Sequence, residues 1–120
     1  MAQLVAKSFF RSLLGGDAAA LRPLCAGEVN FDGQTIRGEA AIAAKLDQLV
    51  RRARARKLEL RRVVMVDAAT MRRRYGPAPA RIRSAVRSGT IIALARFDQL
   101  GAVAVLARRG RFWRVVALTD

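Results

Sequence analysis

The chain has 120 residues, 52% of them hydrophobic, and a formal net charge of +14. That length suits a single domain over residues 1–120 whose core closes over roughly two-thirds of the unfolded surface, and the apolar content excludes an intrinsically disordered chain. The longest apolar run, Ala102 to Ala107, falls far short of the roughly 20 residues that cross a bilayer. The lone Cys25 excludes an internal disulfide, and the lack of histidine removes the usual zinc sites and Ser-His-Asp chemistry.

In chain order, Val5, Phe9 and Leu13 recur at i, i+4 and i+8, with Phe10 and Leu14 one step round, which predicts a helix over residues 2–14. Gly15-Gly16 stops it, and Asp17 is placed to cap a short second helix from Ala18 to Cys25, whose last turn Pro23 compromises. Cys25 reads as a small core residue, because no histidine is present to activate it as a nucleophile. Val29 and Phe31 alternate as in a strand, and Asp32-Gly33 marks a tight turn. Glu39 opens a third helix whose apolar face is Ile42, Leu46, Leu49 and Ala53.

Leu58 to Asp67 reads as a strand and Ala68 to Tyr75 as a helical turn, before Gly76-Pro77-Ala78-Pro79 breaks regular structure. Pro79, the Ile82–Val86 spacing and Gly89 favour a short helix next, although the Arg81-Ile82-Arg83 alternation also allows an edge strand. Thr90 to Phe97, Ala102 to Ala107 and Phe112 to Leu118 read as strands, joined by turns at Asp98-Gln99-Leu100-Gly101 and Arg108-Arg109-Gly110-Arg111. Helices first and then a mostly antiparallel sheet is the α+β pattern.

The charge is uneven. Residues 1–50 carry five Lys/Arg and five Asp/Glu, whereas residues 51–120 carry eighteen and four; 20 of the 23 cations are arginine. Arginine in this excess fits either a biased coding composition or an anionic partner gripped by guanidinium forks, with Arg51, Arg52, Arg72, Arg73, Arg74 and Arg109 as the candidate anion-binding residues. Nucleic acid is the polyanion such a surface would meet, but the sequence lacks the interleaved aromatics of a stacking platform. No export signal or membrane segment is recognised, so the expected location is cytoplasmic, with no membrane partner.

Three stretches carry a family resemblance: Leu13-Leu14-Gly15-Gly16-Asp17 with Leu21 and Leu24; Val29-Asn30-Phe31-Asp32-Gly33 running into Arg37-Gly38-Glu39-Ala40-Ala41-Ile42; and Arg96-Phe97-Asp98-Gln99-Leu100-Gly101. In that order they resemble the NTF2-like superfamily of ketosteroid isomerases, SnoaL-like cyclases and limonene epoxide hydrolases. Gly110-Arg111-Phe112-Trp113-Arg114-Val115-Val116 is similar to its last strand. The resemblance implies a cone of three N-terminal helices on a curved, mostly antiparallel sheet. It also implies a hollow lined by Phe9, Leu13, Phe31, Ala93 and Trp113, a small apolar or anionic ligand, a homodimer formed through the outer sheet face, and no metal or organic cofactor.

By the same resemblance Asp32 occupies the general-base position of the isomerase branch; its plainer reading is an ordinary Asp-Gly turn residue. The positions that would supply the isomerase's two hydrogen-bond donors hold Phe9 and Ala93, which cannot donate, and loss of one such donor alone costs roughly 10²–10³ in rate. An epoxide-hydrolase-like reading would need an Asp-Arg-Asp relay, for which Asp67 and Asp98 are the candidate acids, although the hairpin turn explains Asp98 and the strand end Asp67; a cyclase would need a histidine. The expected function is therefore small-molecule binding without isomerase activity, with polyanion binding, or weak isomerase or hydrolase action through Asp32, as the alternatives.

Overall fold

A computed structural model describes residues 1–120. Helix α1 (Ala2–Gly15) buries Ala6, Phe9, Phe10 and Leu13, the stripe its apolar spacing anticipates. It stops where Gly16 turns into the left-handed region at φ 79° and the Asp17 N–H closes on the Ser12 carbonyl at 3.0 Å. A Cβ on Gly16 would stand 3.0 Å from the Arg54 side chain, so both the backbone and the close approach call for glycine. Asp17 then caps α2 (Ala18–Leu21), its carboxylate accepting from the Ala20 N–H at 3.1 Å.

The second helix ends earlier than its composition suggests. Residues Arg22–Leu24 tighten into a 3₁₀ turn around Pro23, and Cys25 opens β1 (Cys25–Phe31) instead of closing the helix. Arg22 secures this corner by hydrogen bonds to the Cys25 and Ala26 carbonyls and to both carboxylate oxygens of Glu39. Asp32 and Gly33, at φ 55° and 93°, form the two-residue turn into β2 (Gln34–Arg37), as a primed hairpin turn requires. Helix α3 (Glu39–Arg56) buries Ile42, Leu46, Val50 and Ala53; Val50 takes the core position expected of Leu49, which is half-buried on the flank.

The remaining strands are β3 (Leu60–Asp67), β4 (Ile91–Phe97), β5 (Leu100–Arg109) and β6 (Phe112–Thr119). They complete a six-stranded sheet in the order β2-β1-β6-β5-β4-β3. Every neighbouring pair is antiparallel except β1 and β6, which run parallel. Val105 opposes Ala117 and Leu106 opposes Val115, leaving Val116 as an extra residue; this bulge bends the sheet around the helices.

Alternation along the strands separates two apolar faces. Ala93, Ala95 and Phe97 face α1 and α3 in the larger core, with Phe31, Leu106 and Val115. Ile92, Val105 and Ala117 face the other way and are covered by Met71 of α4 (Ala68–Tyr75) and by Ala78 and Ile82. Ile82 belongs to a 3₁₀ helix, Ala80–Ala85, where the sequence favours a short helix over an edge strand. Residues 68–90 thus form a strap across the outer sheet face. The strap covers the centre of the outer face through which the family resemblance implies a homodimer. Val64 and Leu94 remain half-buried beside exposed Tyr75 and Leu100, in a shallow groove at one corner. No helix is long and apolar enough to cross a membrane.

Candidate functional site

The interior of the cone is packed with side chains. Phe9, Phe31 and Ala93, expected to line a hollow, are fully or almost fully buried among Phe10, Leu46 and Leu106. Bulky rings from α1 and β1 fill the space that the small Ala93 leaves, which is how a core reaches crystal-like density. Trp113 does pack inward, but at the opposite end, beside a shallow depression next to Met1, Met65 and Ile91.

On the helix side, space opens at the rim of the cone, where α1, α3 and the β4–β5 hairpin meet, in a pocket of about 330 Å³. Its walls are Leu13 of α1, Leu49 and Ala53 of α3, Phe97 and Ala102 of the β4–β5 hairpin, and Leu118 near the end of β6. Asp32 and Thr119 stand at one edge, with Arg52 and Arg56 from the last turns of α3 at another. Of the residues expected to line the cone, Leu13 alone lines this pocket.

Asp32 is held twice by the end of β6. Its backbone N–H donates to the Leu118 carbonyl at 2.9 Å, and its Oδ1 accepts from the Thr119 hydroxyl at 2.7 Å. Thr119 is 3% exposed, so this hydroxyl has little competing water. The bond fixes the carboxylate and leaves Oδ2 available to a ligand. Sequence reasoning missed Thr119: 87 positions separate it from Asp32, and only the parallel β1–β6 pairing joins them.

The other candidate acids have local work. Asp67 caps α4, and the Thr70 N–H at 2.7 Å, with the Thr70 hydroxyl, holds its carboxyl below the usual carboxylate range. Asp98 sits in the β4–β5 turn at φ 39° and pairs with Arg61 at 2.7 Å. Neither lines the pocket that holds Asp32.

The candidate anion-binding residues are scattered. Arg52 lines the apolar pocket, Arg72 borders a small cleft of about 100 Å³ beneath α4, and Arg109 lies in a separate basic groove. Arg51 and Arg74 are exposed, and Arg73 reaches the Thr70 hydroxyl at 3.3 Å. No group of three or more His, Cys, Asp or Glu side chains could hold a metal ion.

Burial pushes the Cys25 thiol up to about 12, against a smaller opposing pull from Arg22. The raised value means that the stability gained by burying the neutral thiol is complete at neutral pH and is lost only as pH climbs through the alkaline range. In the native protein Cys25 will therefore react with a maleimide only as the fold opens, and urea will speed the labelling. Rapid labelling of the folded chain would show that the thiol is accessible.

Among solved structures, an NTF2-like protein with a cystatin-like fold from Novosphingobium aromaticivorans superposes on 95% of this chain and 74% of its own, with a TM-score of 0.50 and 20% identity. This chain has the NTF2-like fold. No family model and no curated protein matches the sequence. In this chain the interior is packed, and the pocket lies at its rim, between α3 and the β4–β5 hairpin. A fold of this kind hosts unrelated activities, so the chemistry has to be read from that rim.

Proposed function

We propose that this NTF2-like domain binds a small, mainly apolar molecule in the pocket at the rim of the cone, with a hydroxyl or similar donor turned toward Asp32. The apolar-walled pocket, with one carboxylate fixed at its edge by the Thr119 hydroxyl, carries the reading. Its volume of about 330 Å³ stands at the lower end of the range for ligand sites, roughly 300–1,000 Å³. Arg52 and Arg56 form no ion pair within the chain and would accept an acidic group on the same ligand.

Binding fits these residues better than proton abstraction does. A base next to a carbonyl needs donors aimed at the developing oxyanion. Phe9 and Ala93, which the family resemblance matches to the isomerases' donor positions, are apolar and fully buried.

Cyclohexanol and cyclohexanecarboxylate test the two polar edges, with methyl and amide NMR shifts as the readout. Both should perturb Leu13, Leu49 and Leu118. Ala102→Phe, which puts a ring into the pocket, should abolish the shifts while the folded spectrum persists. Shifts centred on Trp113, or unchanged binding by the filled variant, would reject the pocket.

A further inference from the structure

The largest concavity of the molecule is on the other side of the sheet. It holds about 760 Å³ between the 3₁₀ segment with its following loop and the ends of β1, β5 and β6. Arg87, Arg108, Arg109 and Arg114 line it, and none of them pairs with an acid in the chain. Glu28 is the only carboxylate in the lining, and it already faces Arg37 at 3.2 Å. Four cations around one groove repel one another, and an anion entering it relieves that repulsion.

The groove walls are held before any ligand arrives. Asn30 Nδ2 donates to the Arg81 carbonyl at 3.0 Å, tying β1 to the 3₁₀ segment. Thr90, 7% exposed, donates its hydroxyl to the Arg87 carbonyl at 2.6 Å and accepts from the Arg87 N–H at 3.1 Å. Arg87 Nε is spent on the Ser84 carbonyl at 3.1 Å, which orients the guanidinium and leaves its terminal nitrogens to the groove.

Beside the groove stands an aromatic ring with no partner in the core. Phe112 is 55% exposed, lies opposite Arg109 in the β5–β6 register, and carries the Arg114 guanidinium 4.8 Å from its ring centroid. Phe112 and Arg114 are two residues apart on one strand and so share a face. Arg111, exposed in the adjoining turn, continues the positive surface past the ring.

We propose that this groove binds single-stranded nucleic acid, its phosphates along Arg87, Arg109 and Arg114 and a base stacked on Phe112. The aromatic ring supplies what a charged surface alone lacks, a flat apolar platform within reach of the phosphate contacts. The reading is independent of the apolar pocket, which lies on the helix side of the sheet.

Fluorescence anisotropy with a labelled single strand of about 12 nucleotides tests it. Affinity should fall steeply with salt, as phosphate contacts require. Arg87→Glu combined with Arg109→Glu should weaken binding by about tenfold or more, and the pair Arg11→Glu with Arg51→Glu, exposed on the helix side of the sheet, by less than about threefold. Phe112→Ala should weaken the strand by about tenfold and leave heparin, a polyanion without bases, unchanged. Equal losses from the two charge-reversal pairs would mean bulk attraction and overturn the proposal. So would a strand affinity indifferent to Phe112→Ala, or a mononucleotide that binds as tightly as the strand.

Discussion

Phe10→Ala is expected to destabilise the protein by about 3–5 kcal/mol, the largest loss from a single side-chain truncation in the helix-side core. Phe10 is fully buried and meets two other rings edge-on: Phe9 at 5.5 Å and 88°, and Phe97 of β4 at 5.8 Å and 65°. Removing it deletes both edge contacts and leaves a void between α1 and the sheet, where rings on either side cannot close in without leaving their rotamers. Domains of this size are stable by only about 5–15 kcal/mol, so the loss takes a large share of the total. Urea unfolding should show a lower midpoint at an unchanged slope. Phe112→Ala is the internal control: its ring is 55% exposed, and its loss should stay within about 0.5 kcal/mol. A Phe10→Ala loss below about 1 kcal/mol would mean that the ring already borders empty space, and the packed cone interior would have to be given up.

Local rules made much of this fold legible. The i, i+4 rows of α1, the Gly16 stop, the Asp17 cap and the Asp32-Gly33 turn are each decided by neighbours in sequence, and each stands where the pattern puts it. Boundaries failed where two local signals competed. Pro23 did not merely weaken a helix running to Cys25; it ended α2 at Leu21 and released Cys25 to a strand. Gly101 and Arg108 look like turn residues, yet the hairpins close in tighter turns beginning at Asp98 and Gly110, so β5 reaches from Leu100 to Arg109. In α3, adjacent Leu49 and Val50 suit the helix equally, and only the orientation of α3 on the sheet decides which is buried.

The site was less legible because every part of it depends on distant pairing. Asp32 was visible as a turn carboxylate, but its Thr119 partner comes from the far end of the chain. Whether the cone is hollow depends on how the rings of Phe9, Phe10 and Phe31 divide the space beside Ala93 and Ala104, a balance of volumes that periodicity does not carry. The basic groove shows the same limit. The run Arg108-Arg109-Gly110-Arg111 announced charge and the β5–β6 hairpin sets Arg114 beside it, but Arg87 joins only because the 3₁₀ segment folds back over β1 and β6.

Ile82→Ala is the second large effect expected, about 2–5 kcal/mol, and it tests the strap itself. Ile82 is fully buried at the centre of the smaller core, over Ile92, Val105 and Ala117. Those three point away from α1 and α3, so nothing but the strap separates them from water. Truncation therefore acts in two ways: it leaves a void, and it weakens the cover over an apolar sheet face that would otherwise invite association. The tie from Asn30 to the Arg81 carbonyl holds the strap at its middle, so opening should begin beyond it, on the side of residues 83–90. Hydrogen exchange in the variant should rise first at Val86 to Ile92, ahead of the core strands, and sedimentation should show association growing with concentration. If the strap were a loosely attached loop, the truncation would instead leave both the unfolding midpoint and exchange in β4 unchanged. The outer face would then be free to pair with a second copy, as in the dimer that the family resemblance implied. Measuring exchange and sedimentation on the same variant separates a third structural layer from a removable cover, because only a true layer links the strap's loosening to a loss of global stability.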